Sequence, residues 1–175
     1  MESSELAAKA RPEYSHPLLR YLQQQGKDIA PLLIIIHDYP DPDAIAGGCA
    51  LEYLCEKGFG IAGRVVYGGS IGRQENRAMI RELGLKIHKI ALGEFANNKH
   101  VACVDTQPTF ENNRFATTKR ARIVIDQHHS VADPVADLAL IDNDCGASCV
   151  IVARAILEFG LPLPPPIATA LIYGI

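Results

Sequence analysis

The sequence lacks the features that place a protein in or across a membrane. No apolar run among its 175 residues reaches the length of a transmembrane helix. Its opening stretch, MESSELAAKARPEY, has no apolar segment of the kind that marks a signal peptide. We therefore expect a cytoplasmic protein that has no membrane partner.

The sequence also has no excess of positive charge and no complete set of zinc-binding cysteines. Its formal net charge is −3, so no global basic field attracts nucleic acid, although a local basic groove is compatible with this balance. The 5 cysteines are odd in number and lie mostly in apolar patterns, which is typical of reduced core thiols in a cytosolic protein. Cys145 and Cys149 are close in sequence, but no second pair completes a zinc site.

The most informative stretch is LLIIIHDYPDPDAIAGG, which spans residues 32–48. Its apolar start, residues 32–36, predicts a buried strand in a parallel sheet. One imidazole and several carboxylates follow directly: His37, Asp38, Asp41 and Asp43. A helix is predicted to begin near Asp43, whose carboxylate suits an N-cap. Such a group of acids is costly to bury unless a cation neutralises it, so a divalent metal is the expected partner.

Predicted strands and helices alternate along the rest of the chain, without an internal repeat. The further strands are predicted at 61–67, 85–90, 100–104, 121–125 and 138–141. The helices are predicted at 15–25, 44–57, 75–83, 147–159 and 167–175, with a turn or short helix at 91–98. This alternation predicts an α/β fold, a mostly parallel sheet with helices on both faces. Gly47 and Gly48 lie inside a predicted helix, which indicates close backbone approach to a strand or a substrate.

Three of the predicted strands end in acidic or imidazole side chains. These groups follow the strands at residues 37–43, at Asp105 and at residues 126–129. The carboxyl ends of parallel strands share one edge of the sheet, so we expect the three groups to converge there. A single strand-end Asp is more often a helix cap or turn former, but three such ends with histidines favour a metal site. Five or six such ligands suit two ions about 3.5–4 Å apart, with Mn²⁺ favoured over Mg²⁺ or Co²⁺.

The order of these motifs resembles the DHH phosphoesterase superfamily. The resemblance rests on H-x-x-x-D-x-D at His37, Asp41 and Asp43, on the strand-end Asp105, and on D-x-H-H from Asp126. It covers nearly the whole chain after the first 15 residues. The segments PDPDAIAGG, GGSIGRQENRAM and VDTQP look most like the oligoribonuclease and phosphoadenosine-phosphate phosphatase (nanoRNase) branch. The resemblance implies phosphoester hydrolysis by a metal-activated hydroxide, without a covalent intermediate.

The resemblance also implies roles for individual residues. Two Mn²⁺ ions are implied, held by His37, Asp41, Asp43, Asp105 and a third-motif histidine that we assign to His128. Asp105 would bridge the ions, and Asp105 and His129 are the implied catalytic residues. His129 would contact the phosphate or protonate the leaving oxygen. Arg73, in a Gly-rich stretch, is a candidate substrate-binding residue, and the alternative is a solvated charge at a helix start.

Two features depart from the pattern of that superfamily. Its triplet is Asp-His-His, whereas Gln127 follows Asp126 here, and glutamine is a weaker metal ligand than imidazole. The chain also ends at Ile175, where the superfamily has a further metal-binding Asp, and no second substrate-binding domain follows. We therefore expect an N-terminal arm over 1–14 and a DHH-type domain over 15–175 that is truncated at its C-terminal end, with weak catalysis.

The expected activity is that of a Mn²⁺-dependent phosphoesterase, and its expected partner is a short oligonucleotide or nucleotide phosphate. Within the same superfamily, an inorganic pyrophosphatase, a polyphosphatase or a cyclic-dinucleotide phosphodiesterase is the nearest alternative. Gln127 keeps open a non-catalytic nucleotide-binding module, which would bind at most one metal ion. The sequence leaves the oligomeric state undecided, with a homodimer as one option.

Overall fold

The computed structural model describes residues 12–115, 119–130 and 132–175. Its strands are β1 (Leu32–Ile35), β2 (Gly63–Tyr67), β3 (Ile87–Lys89), β4 (His100–Val104), β5 (Ala121–Asp126) and β6 (Ala136–Ile141). Its α-helices are α1 (Pro17–Gln25), α2 (Pro42–Tyr53), α3 (Gln74–Leu83), α4 (Glu94–Asn97), α5 (Ser148–Phe159) and α6 (Pro165–Gly174). A 3₁₀ turn at Gly26–Asp28 follows α1, and a π-helical turn at Leu54–Gly58 follows α2.

The strands form one six-stranded sheet in the order β3-β2-β1-β4-β5-β6. Every neighbouring pair is parallel, which confirms the α/β architecture predicted from the alternation of elements. In the register of the sheet, Ile35 of β1 lies opposite Cys103 of β4, and Val104 lies opposite Ile125 of β5. The residues that directly follow β1 and β4 therefore lie at the same edge as the last residue of β5.

The two faces of the sheet bury alternate residues of β1. On one face, Leu32, Ile34 and Ile36 join a large core with the apolar sides of α1, α2, α5 and α6. On the other face, Leu33 and Ile35 join a smaller core that includes Phe115, with Phe95 of the one-turn helix α4 packed against it. Each buried Leu or Ile contributes roughly 1.5–3 kcal/mol by leaving water. Because β1 is buried on both faces of the sheet, residues 32–36 form an unbroken apolar run rather than an alternating one.

Helix α2 lies close to the sheet because it carries glycines where a side chain would collide with strands. A Cβ at Gly47 would lie 2.9 Å from Val104 Cγ1, and a Cβ at Gly48 would lie 3.0 Å from both Ile36 Cγ2 and Val65 Cγ1. The predicted close approach is therefore an approach to strands. It brings the first turn of α2 to the carboxyl ends of β1 and β4.

The N-terminal part of the chain adds to the larger core. Of the predicted arm over 1–14, residues 1–11 lie outside the described residues. Tyr14 stacks on Phe159, with 5.7 Å between the ring centroids. In the part of the chain that the structure describes, no helix is both long enough and apolar enough to cross a membrane.

Candidate metal centre

The carboxyl edge of the sheet carries two groups of side chains whose ligand atoms could hold a metal ion. The groups are His37, Asp41 and Asp105, and Asp105, Asp126 and His128. Within each group, one ligand atom per residue lies within 4.8 Å of the others. Asp105 belongs to both groups, so they form one continuous centre. The predicted convergence of the three strand ends is present in the structure.

Asp105 occupies an unusual backbone conformation directly after β4. Its φ is +55°, and it is the one non-glycine residue with a left-handed backbone in the described part of the chain. Its side chain is buried. Aspartate tolerates this region better than most residues, and such strain is concentrated at functional sites. One carboxylate oxygen, Oδ2, lies 3.5 Å from His37 Nε2, and the other, Oδ1, lies 3.7 Å from His128 Nδ1.

Asp41, rather than Asp43, is the N-cap of α2. Its Oδ1 accepts a hydrogen bond of 3.0 Å from the amide of Ala44, and Pro42 occupies the first turn. The prediction that Asp43 caps this helix is wrong, because proline at the first helical position places the cap at the preceding residue. The same Oδ1 of Asp41 lies 3.8 Å from His37 Nε2. The imidazole of His37 beside it lowers the pKa of Asp41.

His37 is the imidazole of the first group. Its burial disfavours the charged form, but the carboxylates of Asp105 and Asp41 beside it outweigh this cost and raise the pKa of His37 to about 9. The ring is therefore held between two carboxylates, in the arrangement expected for a site that attracts positive charge.

Asp43 makes a contact that joins distant parts of the chain. Its carboxylate accepts hydrogen bonds from the amides of Ser148 and Cys149, each of 2.7 Å, at the first turn of α5. Ser148 is the first helical residue of α5, and the side-chain acceptor for this helix start therefore comes from α2 rather than from the preceding loop. Burial and the nearby charge of Asp105 raise the pKa of Asp43 to about 6. Asp43 lies beside the two groups without belonging to either.

Asp126 and His128 form the second group with Asp105. The Nδ1 atom of His128 lies 2.9 Å from Asp126 Oδ1, and the other oxygen of Asp126 accepts a hydrogen bond of 2.7 Å from Gln107 Nε2. Gln107 is fully buried, and its Oε1 accepts a hydrogen bond of 2.7 Å from Ser130. Partial burial lowers the pKa of His128, but the hydrogen bond to Asp126 and nearby carboxylates give a net rise.

Some residues around the third motif lie inside the centre, and others lie at its exposed edge, which we call the rim. The imidazole beside Asp105 is that of His128, while the amide of Gln127 donates a hydrogen bond of 2.9 Å to Asp126 Oδ1. His129 is exposed, and its Nδ1 donates to Asn143 Oδ1 over 3.0 Å when the Asn143 amide is oriented to satisfy its neighbours. His129 therefore lies outside both groups.

Arg73 lies near the first group of candidate ligands, at the start of α3. It lines a cleft of about 320 Å³ that is also lined by His37 and Asp41. Among the described residues, its guanidinium has no hydrogen-bond or ion-pair partner. Arg77 differs, because it donates to the carbonyls of Ile71 and Gly72 over 2.6 and 2.9 Å and so supports the loop.

The charge balance of the centre favours a cation. Asp43, Asp105 and Asp126 are all buried, and no lysine or arginine in the described part of the chain forms an ion pair with any of them. Asp105 lies near the imidazoles of His37 and His128, and Asp126 lies near that of His128. Buried carboxylates with imidazoles are the donor set of a hard or borderline divalent ion, so the residues present fit the implied metal.

Sequence reasoning did not name three of the residues that build this centre: Asp126 as a ligand, Gln107 and Ser148. Asp126 carries a sequence signal, since it ends a buried strand at the edge where the other candidate ligands lie. Gln107 follows Asp105 by two positions and so also lies at a strand end. Ser148 carried no signal, because its role depends on where α5 packs.

A comparison with family models now identifies the chain. The model of the DHH family, N-terminal domain, matches residues 31–175. The chain belongs to the DHH family. The resemblance to this superfamily, inferred from the motifs alone, is thereby confirmed at the level of the family.

Individual relatives of this DHH-family chain extend the comparison. It is 36% identical over 152 residues to an uncharacterized protein, MJ1633, of Methanocaldococcus jannaschii, an alignment that covers 83% of the chain and 30% of that protein. It is 26% identical over 151 residues to a probable manganese-dependent inorganic pyrophosphatase of Streptococcus pyogenes, covering 84% of the chain and 48% of the relative. The chain thus spans about half or less of the length of these relatives.

A solved structure supports the fold. An exopolyphosphatase-related protein from Bacteroides fragilis superposes with a TM-score of 0.65 over 89% of this chain and 48% of that protein, at 14% sequence identity. The comparisons therefore support the DHH family, and neither of these two proteins singles out the predicted nanoRNase branch.

Proposed function

We propose that this DHH-family chain is a metal-dependent phosphoesterase domain that hydrolyses short oligonucleotides or nucleotide phosphates. One observation carries the proposal, namely that Asp105 is shared by two groups of candidate ligands. A shared carboxylate between two sets of ligands is the arrangement that a two-metal phosphoryl-transfer site requires. The backbone strain at Asp105 supports the same reading.

The proposed ligands divide between two Mn²⁺ ions. His37, Asp41 and Asp105 would hold one ion, and Asp105, Asp126 and His128 would contribute to the other. Asp43 would serve the second ion with the lone pairs left after it accepts the amides of α5. When bound, the ions would supply an activated water nucleophile and neutralise charge on the phosphoryl group.

The residues at the rim would orient the substrate and move a proton. Arg73 presents an unpaired guanidinium beside His37 and Asp41, and arginine binds phosphate oxygens with two parallel hydrogen bonds. His129 is exposed and directly follows His128 in the chain. We assign it to contact a phosphate oxygen or to protonate the leaving oxygen.

A second candidate is an inorganic pyrophosphatase. The observation that favours it is the likeness to a probable manganese-dependent inorganic pyrophosphatase over 84% of the chain. The same set of carboxylates and imidazoles would serve phosphoanhydride and phosphoester substrates alike. The two candidates differ in what the walls of the site must bind beside the phosphate.

The test is a comparison of substrates with Mn²⁺ present. A 5′-phosphorylated dinucleotide, a nucleoside 3′,5′-bisphosphate, inorganic pyrophosphate, a short polyphosphate and a cyclic dinucleotide are assayed at equal concentrations. We expect the first two to be turned over fastest. Faster turnover of pyrophosphate would favour the second candidate and overturn the first.

The non-catalytic alternative has its own signature. It predicts nucleotide binding without turnover and at most one bound Mn²⁺ per chain by calorimetry. The proposal predicts two ions, with His128→Ala weakening Mn²⁺ binding and Gln127→His changing it by less than about two-fold, because His128 already supplies the imidazole. A large gain from Gln127→His would show that position 127 is the true ligand position.

A further inference from the structure

An exposed aromatic side chain stands beside the candidate metal centre. Tyr39 lies between the candidate ligands His37 and Asp41 in sequence, and 68% of its surface is exposed. Its neighbours Asp38 and Pro40 are buried, so the loop itself packs while the ring does not. Together with the open cleft beside it, this exposure indicates a ring available to a ligand.

Tyr39 lines the same cleft of about 320 Å³ as Arg73. The cleft volume falls within the range of roughly 300–1,000 Å³ that is usual for small-molecule sites. His37 and Asp41 also line it, so a ligand in the cleft would lie beside the candidate metal centre. One cleft therefore combines an aromatic ring, an unpaired guanidinium and two candidate metal ligands.

The walls of this cleft are held in place by hydrogen bonds. Asn76, which is buried, donates from Nδ2 to the carbonyl of Pro40 over 3.1 Å and so ties α3 to the loop that carries Tyr39. Arg77 donates to the carbonyls of Ile71 and Gly72 and so fixes the segment before Arg73. A site with its walls already fixed loses less entropy when it binds a ligand.

We propose that Tyr39 and Arg73 form a nucleoside-phosphate subsite, in which Tyr39 stacks on the base and Arg73 binds the phosphate. The inference rests on the proposed function, since the subsite would present one nucleotide of the substrate to the metal centre. An aromatic face gives stacking with any base, so the subsite would tolerate different base sequences. Pyrophosphate has no base on which Tyr39 could stack. A contribution of this ring to binding therefore distinguishes a nucleotide substrate from pyrophosphate.

The test is a binding measurement that does not depend on turnover. Adenosine 5′-monophosphate and inorganic phosphate are titrated calorimetrically into the Mn²⁺-loaded chain and its variants. We expect the nucleotide to bind more tightly than phosphate, and Tyr39→Ala to weaken nucleotide binding about ten-fold while leaving phosphate binding unchanged. Tyr39→Phe keeps the ring and should bind the nucleotide like the wild type. Arg73→Ala should weaken the binding of both the nucleotide and inorganic phosphate.

The control variant is Tyr173→Ala, which removes another exposed ring, on α6, from outside this cleft. It should leave both affinities unchanged, and thermal unfolding of all variants verifies that they fold. Equal binding of nucleotide and phosphate by the wild type, or no effect of Tyr39→Ala, would overturn the subsite. A chain that binds the nucleotide through Tyr39 but hydrolyses none of the substrates would retain the subsite and overturn the proposed function.

Discussion

Ser148 Oγ donates a hydrogen bond of 2.8 Å to Asp105 Oδ1, the carboxylate shared by both groups of candidate ligands. The hydroxyl also accepts a hydrogen bond of 3.1 Å from the amide of Gln127, and the amide of Ser148 donates to Asp43. A single fully buried serine at the start of α5 thus contacts the segments after β4 and β5 and the first turn of α2. Partners of this kind orient the groups that hold a metal.

We predict that Ser148→Ala weakens Mn²⁺ binding by about ten-fold, because Asp105 loses the donor that fixes its orientation. Calorimetric titration of Mn²⁺ into both forms measures the change. The matched control is Ser130→Ala, whose hydroxyl contacts Gln107 rather than a candidate ligand. It should alter the affinity by less than about three-fold, and equal losses in the two variants would contradict the assigned role of Ser148.

The shared position of Asp105 predicts an unequal pair of substitutions. Asp105→Asn should lower turnover more than His37→Ala, because Asp105 serves both groups and His37 serves one. Asparagine is chosen because it tolerates the left-handed conformation at this position. Turnover at saturating Mn²⁺ and the number of ions bound by calorimetry test the difference. Equal losses of turnover would mean that Asp105 does not bridge.

The parallel sheet explains why the sequence could predict that His37, Asp41 and Asp105 converge. Strand ends share one edge whatever the details of packing, so a strand-end aspartate can be placed from its position alone. The N-cap of α2 also depends on local chemistry, since Pro42 marks the first helical position and so places the cap at Asp41 rather than at the predicted Asp43.

The contacts of Asp43 could not be predicted in the same way, and the assignment of His128 follows from the family resemblance rather than from the alternation of strands and helices. Asp43 binds amides that lie 105 and 106 residues further along the chain, and this contact depends on how α5 packs against α2. The choice of His128 over Gln127 depends on the path of a loop after β5, which no periodicity determines. Tertiary packing decides both.

The contact of Asp43 with α5 predicts a loss of stability that is separate from metal binding. Asp43→Ala leaves two amide donors of α5 without an acceptor, and we expect this to outweigh relief of repulsion with Asp105. The free energy of unfolding in urea, with chelator present, should fall by about 1–3 kcal/mol. The control is Asp144→Ala in the exposed loop before α5, which should change it by less than about 0.5 kcal/mol. If Asp144→Ala were the more destabilising, the assigned cap would be wrong.

Glu52 predicts a pH dependence of stability away from the metal centre. Burial and the charge of Glu56 raise the pKa of Glu52 to about 7 from a usual value of 4.5, although the charge of Lys86 opposes this rise. A carboxyl with a raised pKa in the folded state binds its proton more tightly there than in the unfolded chain. Between about pH 4.5 and 7 the unfolding free energy contributed by Glu52 therefore falls as pH rises, and the full cost of its charge is present above pH 7.

Glu52→Gln removes that cost, so it should raise the melting temperature at pH 8 and have little effect at pH 4.5 or below. Thermal unfolding at the two pH values measures the difference, and buffers of equal ionic strength keep the screening constant. Glu82→Gln is the matched control, because Glu82 is an exposed carboxylate paired with Arg81, and its substitution should raise the melting temperature at neither pH. A stabilisation of Glu52→Gln that is the same at both pH values would contradict the prediction, since it would come from packing rather than from the charge.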